Sequence, residues 1–109
     1  MHELSIAESV VEAVLQRTGE QRVTVIRIQI GRLSGVVPDA LTFCFELATS
    51  GTALEGAVLE IQECPGRLHC RACDLEAESA DQFLLCPCGS ADVDVVAGRE
   101  LQLTSVEVG

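Results

Sequence analysis

Residues 64–90 read CPGRLHCRACDLEAESADQFLLCPCGS and hold five of the chain's six cysteines and two of its three prolines. Within them Cys70-Arg-Ala-Cys73 is followed, after twelve residues, by Cys86-Pro-Cys88. Two short thiol pairs at this separation suit the tetrahedral four-thiolate site that Zn²⁺ prefers. Four free thiols in an ordinary core fit the pattern poorly, because a core would not gather them in polar turns that carry Pro and Gly. A closed set of four thiolates leaves no position for water or substrate, so the zinc is expected to be structural and not catalytic. Structural zinc contributes on the order of 10 kcal/mol in small finger peptides. With little besides Leu75, Phe83, Leu84 and Leu85 to bury, the segment is expected to need that contribution. A redox role for either pair would be silenced once all four sulfurs meet one ion. The second pair is C-x-C, a tighter bite than the two intervening residues usual in zinc knuckles, so Cys64, or His69 beside Cys70, stands as an alternative to one of the four thiolates.

Outside this segment the hydrophobic pattern is regular. From Leu4 to Gln16, Leu4, Ala7, Val11 and Val14 recur at helical spacing, widened by Ile6, Val10 and Leu15. Ser5 and Glu8 have the spacing of a capping box, and Thr18-Gly19 supplies a stop. Arg22–Ile30, RVTVIRIQI, alternates with Thr24, Ile26, Ile28 and Ile30 on one side and reads as a strand. Pro38 suits the first turn of a second helix to about Ala48, with Leu41, Cys44, Phe45 and Ala48 on one stripe. Cys44 is assigned to core packing on that ground. Strands follow at about Ala57–Glu63, with Leu59 and Ile61 inward, and at about Glu100–Val108. The expected fold is α/β, of the α+β type: two helices on a three-stranded sheet built from residues 1–63 plus 97–109, with a zinc-ribbon subdomain of residues 64–96 inserted between the last two strands.

Composition narrows the function. Seventeen acidic residues face seven basic ones, all arginine, for a net charge of −10. Such a surface repels phosphate backbones and anionic membranes, so neither nucleic acid nor membrane is expected as a partner. Asp74, Glu76, Glu78 and Asp81 are taken as a solvated face, the alternative being a dock for a basic patch. The start of the chain has no basic stretch followed by an apolar run, and no segment approaches the roughly 18 apolar residues of a membrane span. The protein is expected in the cytoplasm, where paired cysteines serve metals more often than disulfides. No Ser/His/Asp set, phosphate loop or dinucleotide fingerprint is present, and no enzymatic activity is expected.

The chain opens Met1-His2-Glu3. A terminal amine, the amide nitrogen of residue 2 and an imidazole Nδ1 close adjacent five- and six-membered chelate rings. Nitrogen-rich, square-planar ligation of this kind suits Ni²⁺ or Cu²⁺. From the chemistry alone, a merely exposed terminal histidine is the favoured reading, and position 2 decides nothing by itself.

Taken together, MHELSIAESVVEAV at residues 1–14, RVTVIRIQIGRLSGVVPDAL at 22–41, FCFELATSGT at 43–52, LEGAVLEI at 54–61, CRAC, CPCGS and ELQLTSVEVG at 100–109 resemble, end to end, the HypA/HybF family. These are the nickel metallochaperones of nickel–iron hydrogenase maturation. The resemblance implies a nickel-binding α/β domain, with Ni²⁺ as cargo on His2 and Glu3 in support, and structural Zn²⁺ on Cys70, Cys73, Cys86 and Cys88. It also implies delivery with a hydrogenase maturation GTPase to the hydrogenase large subunit, and a link to urease maturation proteins. The chain departs from the family at CPCGS, where one residue usually stands between the proline and the second cysteine.

Overall fold

The computed structural model describes residues 2–79 and 84–109. Among the described residues eight elements follow one another: α1 (Glu3–Thr18), β1 (Val23–Gly31), α2 (Pro38–Thr49), β2 (Val58–Cys64), β3 (Gly66–Cys70), β4 (Glu76–Ser79), β5 (Val93–Ala97) and β6 (Leu101–Val108). They form two three-stranded sheets, ordered β2-β1-β6 and β4-β3-β5. The chain divides into two compact units, one of Met1–Ile28, Val36–Gln62 and Gln102–Gly109, the other of Gln29–Gly35 and Glu63–Leu101.

In the first unit α1 buries Ile6, Ala7, Val11 and Val14, the i, i+1, i+5, i+8 stripe of an amphipathic helix. Helix α2 begins on Pro38, whose fixed φ suits a first turn and whose missing N–H costs nothing there, and it buries Leu41, Phe45 and Thr49. Strand β1 buries Ile26 and Ile28 at period two, and Leu54, fully buried, closes the cluster from the turn after α2. The expected capping box does not form. Helix α1 starts earlier, with His2 at its N-cap and no side-chain cap, and the His2 carbonyl accepts the first helical bond from the Ile6 N–H at 3.2 Å. Ser5 is therefore already inside the helix. At the other end the stop holds: Gly19, at φ 61°, donates its N–H to the Leu15 carbonyl at 2.9 Å.

The second unit has more strand than its sequence pattern announces. Strand β3 pairs antiparallel with β4, with Leu68 opposite Ala77, and with β5, with Leu68 opposite Val95. Its buried side is Gly66, Leu68 and Cys70. Leu75 and Leu85, expected to help fill this unit, are instead 65% and 53% exposed. Phe83 lies outside the described residues. The apolar interior here is small, made by Ile30, Leu33, Leu68, Cys70 and Cys86.

Glycines let this unit close. The N–H groups of Gly31, Arg32 and Leu33 donate to the carbonyls of Glu100, Cys64 and Gly98 at 2.8, 2.9 and 2.7 Å. A Cβ on Gly31 would stand 2.0 Å from the Gly98 oxygen, and one on Gly98, at φ 109°, would stand 2.5 Å from the Gly66 Cα. Backbones meet here with no room for a side chain.

Candidate metal centre

The Sγ atoms of Cys70, Cys73, Cys86 and Cys88 all lie within 4.8 Å of one another, the group of ligand-capable side chains found among the described residues. Cys70 is the last residue of β3, and Cys73 follows it in the turn to β4; Cys86 and Cys88 come from the turn before β5. Cys70 and Cys86 are buried, Cys73 half-buried and Cys88 exposed. The nearest sulfur pairs are Cys73–Cys86 at 3.6 Å and Cys70–Cys88 at 3.7 Å, each joining one thiol pair to the other. Thiolates about 2.3 Å from a tetrahedral zinc ion are separated by about 3.8 Å, so the donor set fits zinc in number, kind and spacing. Cys64 and His69, the alternative ligands, are not in the group. His69 Nε2 is instead 2.9 Å from Asp74 Oδ1.

The shortened second pair is absorbed by the turn that follows it. After the first pair, the Cys70 N–H donates to the Leu75 carbonyl at 2.9 Å, the Asp74 N–H donates to the Cys70 carbonyl at 2.9 Å, and Asp74 takes φ 57°. After the second pair, the Cys86 N–H donates to the Ser90 carbonyl at 2.9 Å, the Gly89 N–H donates to the Cys86 carbonyl at 2.8 Å, and Gly89 takes φ 95°. The two turns share one plan: the second cysteine of each pair is followed by a left-handed residue, and the closing bond spans one residue less where the pair is one residue shorter. Glycine is what permits it at position 89. The Cys88 N–H also points to the Cys86 sulfur at 3.5 Å.

Electrostatics make the four thiols unequal. The Cys73 amide, helped by that of Ala72, draws the Cys70 pKa down to about 6 against the opposing effect of burial. At Cys86 the Cys88 amide pulls the same way, but burial and the neighbouring Cys88, Cys73 and Cys70 sulfurs outweigh it and push the thiol up to about 12. At Cys73 the Leu75 amide and Cys86 lower the pKa, and Cys70, burial and Cys88 together raise it. One thiolate forms readily; those after it must form beside an existing negative charge. A divalent cation among the four sulfurs reverses that penalty.

Sequence reasoning missed the support around this cluster. Arg71, between the first two cysteines, donates its backbone N–H to the Asp92 carbonyl at 3.0 Å and its Nε to Asp92 Oδ1 at 2.7 Å, and its guanidinium also pairs with Asp94. Asp94, then Asp92, hold the guanidinium pKa above its ordinary value. Val93 lies between these two aspartates, so they fasten the CRAC turn to the start of β5. D-V-D is the signal that was available, since its aspartates share one face of a strand.

The other predicted residues lie apart from the cysteines. His2 is exposed, in extended conformation at φ −88° and ψ 114°. Glu3 opens α1, and its Oε2 accepts the Val37 N–H at 3.3 Å. Val37 is the N-cap of α2. Pro38 marked that helix start in the sequence, but nothing marked Glu3 as the acceptor. Met1, with the terminal amine, lies outside the described residues.

Known proteins are similar to this chain over nearly its whole length. The family model described as "HypA: Hydrogenase/urease nickel incorporation, metallochaperone, hypA" matches residues 1–108. The hydrogenase maturation factor HypA of Geobacter metallireducens is 48% identical over 109 residues, 99% of each chain. That of Nostoc sp. is 44% identical over 108 residues, 99% of this chain and 96% of its own. In fold the chain is similar to the solution structure of the Ni metallochaperone HypA from Helicobacter pylori, with a TM-score of 0.68 at 23% identity over 99% of this chain and 97% of that one. No helix among the described residues is long and apolar enough to cross a membrane.

Proposed function

This chain belongs to the HypA family of nickel-incorporation metallochaperones, and on that premise we propose that it carries Ni²⁺ at its N-terminus and delivers it to nickel–iron hydrogenase during maturation. The cargo site is His2, supported by Glu3. Zinc, held by Cys70, Cys73, Cys86 and Cys88, is a resident structural ion and does no chemistry on the cargo. Delivery takes place in the cytoplasm, with a maturation GTPase as co-factor protein and the hydrogenase large subunit as recipient; urease maturation proteins are a further client class. The chain is a carrier and not a catalyst.

The observation that supports this reading is the state of His2. It sits exposed, directly before the first helical turn, with no side-chain cap bond from it to that helix. Its imidazole is free to turn toward a cation bound by backbone nitrogen, a donor set that suits Ni²⁺. A cation there faces the positive end of α1, an opposing effect of about 0.3–1 kcal/mol that multidentate chelation outweighs. The Glu3 carboxylate, anchored to Val37, places a compensating negative charge within one residue of the site. An open terminal site exchanges its ion more readily than a buried cage, as release to a recipient requires.

The test is nickel titration of the zinc-loaded, untagged protein, followed by calorimetry and absorption, beside His2→Ala. One nickel per chain, lost in the variant while zinc stays bound, is the expected result. Nickel binding unchanged in His2→Ala would move the cargo site elsewhere and overturn the assignment.

A further inference from the structure

We propose that the outer faces of α1 and α2 form the docking surface for a basic amphipathic helix of a partner protein. The first unit spends few aromatics, yet it leaves one of them outside. Phe43 is 63% exposed and Leu47, one turn later on α2, is 57% exposed, while Leu41 and Phe45 fill the buried side of the same helix. Large apolar side chains paired at i, i+4 on an exposed helix mark an interaction face more often than scattered surface residues do.

Next to them lies a groove of about 460 Å³, lined by Glu8, Val11, Glu12, Leu15 and Gln16 of α1 and Ala48 of α2. Its apolar wall comes from Val11, Leu15 and Ala48. Around α2 the half-buried Cys44 lies between Leu47, three residues on, and Ala48, four residues on, and Phe43 stands one turn before Leu47, so apolar side chains run round the helix from the groove wall to Phe43. Glu8 and Glu12 stand one turn apart on α1, both exposed, and neither forms an ion pair among the described residues. No arginine lines the groove.

Charge decides what can fill it. A second copy would bring another chain of net charge −10 and set its own Glu8 and Glu12 against these. A partner helix with two or three aliphatic residues at i, i+3 or i+4 and Lys or Arg on its flanks would cover Phe43 and Leu47 and neutralise both carboxylates. The lining of α1 from Glu8 to Gln16 runs for about 12 Å, so two to three turns of such a helix suffice.

The probe is a synthetic helical peptide of about four turns with leucines at i, i+4 and i+7 flanked by lysines, beside a twin with glutamates in place of the lysines. Amide shifts of the full, zinc-loaded chain are followed during titration. The lysine peptide is expected to shift α1 between Glu8 and Gln16 and α2 between Phe43 and Ala48, and the glutamate twin to leave them still. Phe43→Ser with Leu47→Ser should weaken binding by about tenfold or more, as loss of central apolar anchors does. Both side chains are exposed, so the variant folds. Glu8→Arg with Glu12→Arg should exchange the preference, accepting the twin and refusing the lysine peptide. Absence of binding, equal binding of both peptides, shifts that map elsewhere, or self-association of the chain abolished by the Phe43/Leu47 variant would each overturn the proposal.

Discussion

The cysteine cluster and the N-terminus are opposites in how they are held. Four sulfurs are brought within 4.8 Å by two hydrogen-bonded turns, a left-handed residue after each pair and an arginine clamp. His2, by contrast, is exposed at the N-cap of α1 and makes no side-chain cap bond to it. A closed, pre-arranged donor set suits an ion that stays, whereas an exposed donor on one covalent tether suits an ion that leaves. On the proposed assignment, what would separate a resident ion from cargo is the hydrogen-bonded turns around the sulfurs, which the residue types alone do not reveal.

The contrast breaks most forcefully if zinc is removed. The second unit has a small interior, with Leu75 and Leu85 outside it, so its stability is expected to rest on the proposed zinc ion, whose binding supplies on the order of 10 kcal/mol in small zinc peptides. A strong chelator, or Cys86→Ser, is expected to erase amide protection across β3, β4 and β5 while α1 and α2 keep theirs, read by hydrogen exchange. Retained protection in β3 without metal would show that the unit folds on its own core.

Acid should loosen the same site in a defined way. Metal binds thiolates, so each proton still on sulfur must leave. Above about pH 6 Cys70 is already a thiolate, while Cys73 and Cys86 are held above the ordinary thiol range and carry their protons through neutrality. Lower pH therefore weakens binding, with a loss of at least about a hundredfold per unit between pH 8 and 6, the minimum set by the two protons on Cys73 and Cys86, steepening below about 6 as Cys70 joins them. Competition with a chromophoric chelator across this range measures it; a slope of one proton or fewer would mean that the neighbouring sulfurs do not hold their protons as inferred.

How much of this was legible in the sequence depends on which atoms do the work. The helices and the first sheet were readable because Val, Ile and Leu carry their periodicity: Ile26 and Ile28 are buried where alternation put them, and Leu41 and Phe45 where the helical stripe did. The second sheet was not, because β3 faces inward with Gly66, Leu68 and Cys70, two of which carry no hydrophobic signal, and β4 is Glu-Ala-Glu-Ser. The four cysteines were readable by type and spacing. The turn that accommodates the missing residue of CPC was not, since it is made of backbone hydrogen bonds that spacing rules do not count. The start of α1 was misjudged for a related reason: a serine three residues ahead of a glutamate looks like a cap, but the helix begins at Glu3 without one.

The backbone contacts of the second unit give the next test. Gly98→Ala would force φ 109° on a residue with a side chain and place Cβ 2.5 Å from the Gly66 Cα. Strain and overlap together should cost about 3–5 kcal/mol. Gly51→Ala, at φ 78° with nothing within 4 Å of the added carbon, should cost only about 1–2 kcal/mol. Denaturation of the zinc-loaded variants compares them, and equal losses would mean that the Gly31–Gly66–Gly98 contact yields easily.

The smallest effect sharpens the N-terminal side of the contrast. Glu3 can support nickel as a charge near the ion or as an anchor that sets the direction of His2 through the Val37 N–H, 3.3 Å away. Glu3→Gln keeps an acceptor oxygen and loses the charge; Glu3→Ala loses both. If anchoring dominates, Gln should hold nickel within about twofold of the parent and Ala should weaken it by about three- to tenfold, the worth of one modest hydrogen bond. The metal-free protein reports the same bond independently, because the Val37 amide should exchange faster in the Ala variant and stay slow in the Gln variant. Equal nickel loss in both variants, with Val37 still protected in Glu3→Gln, would assign the support to charge and leave the anchor a feature of the α2 N-terminus alone.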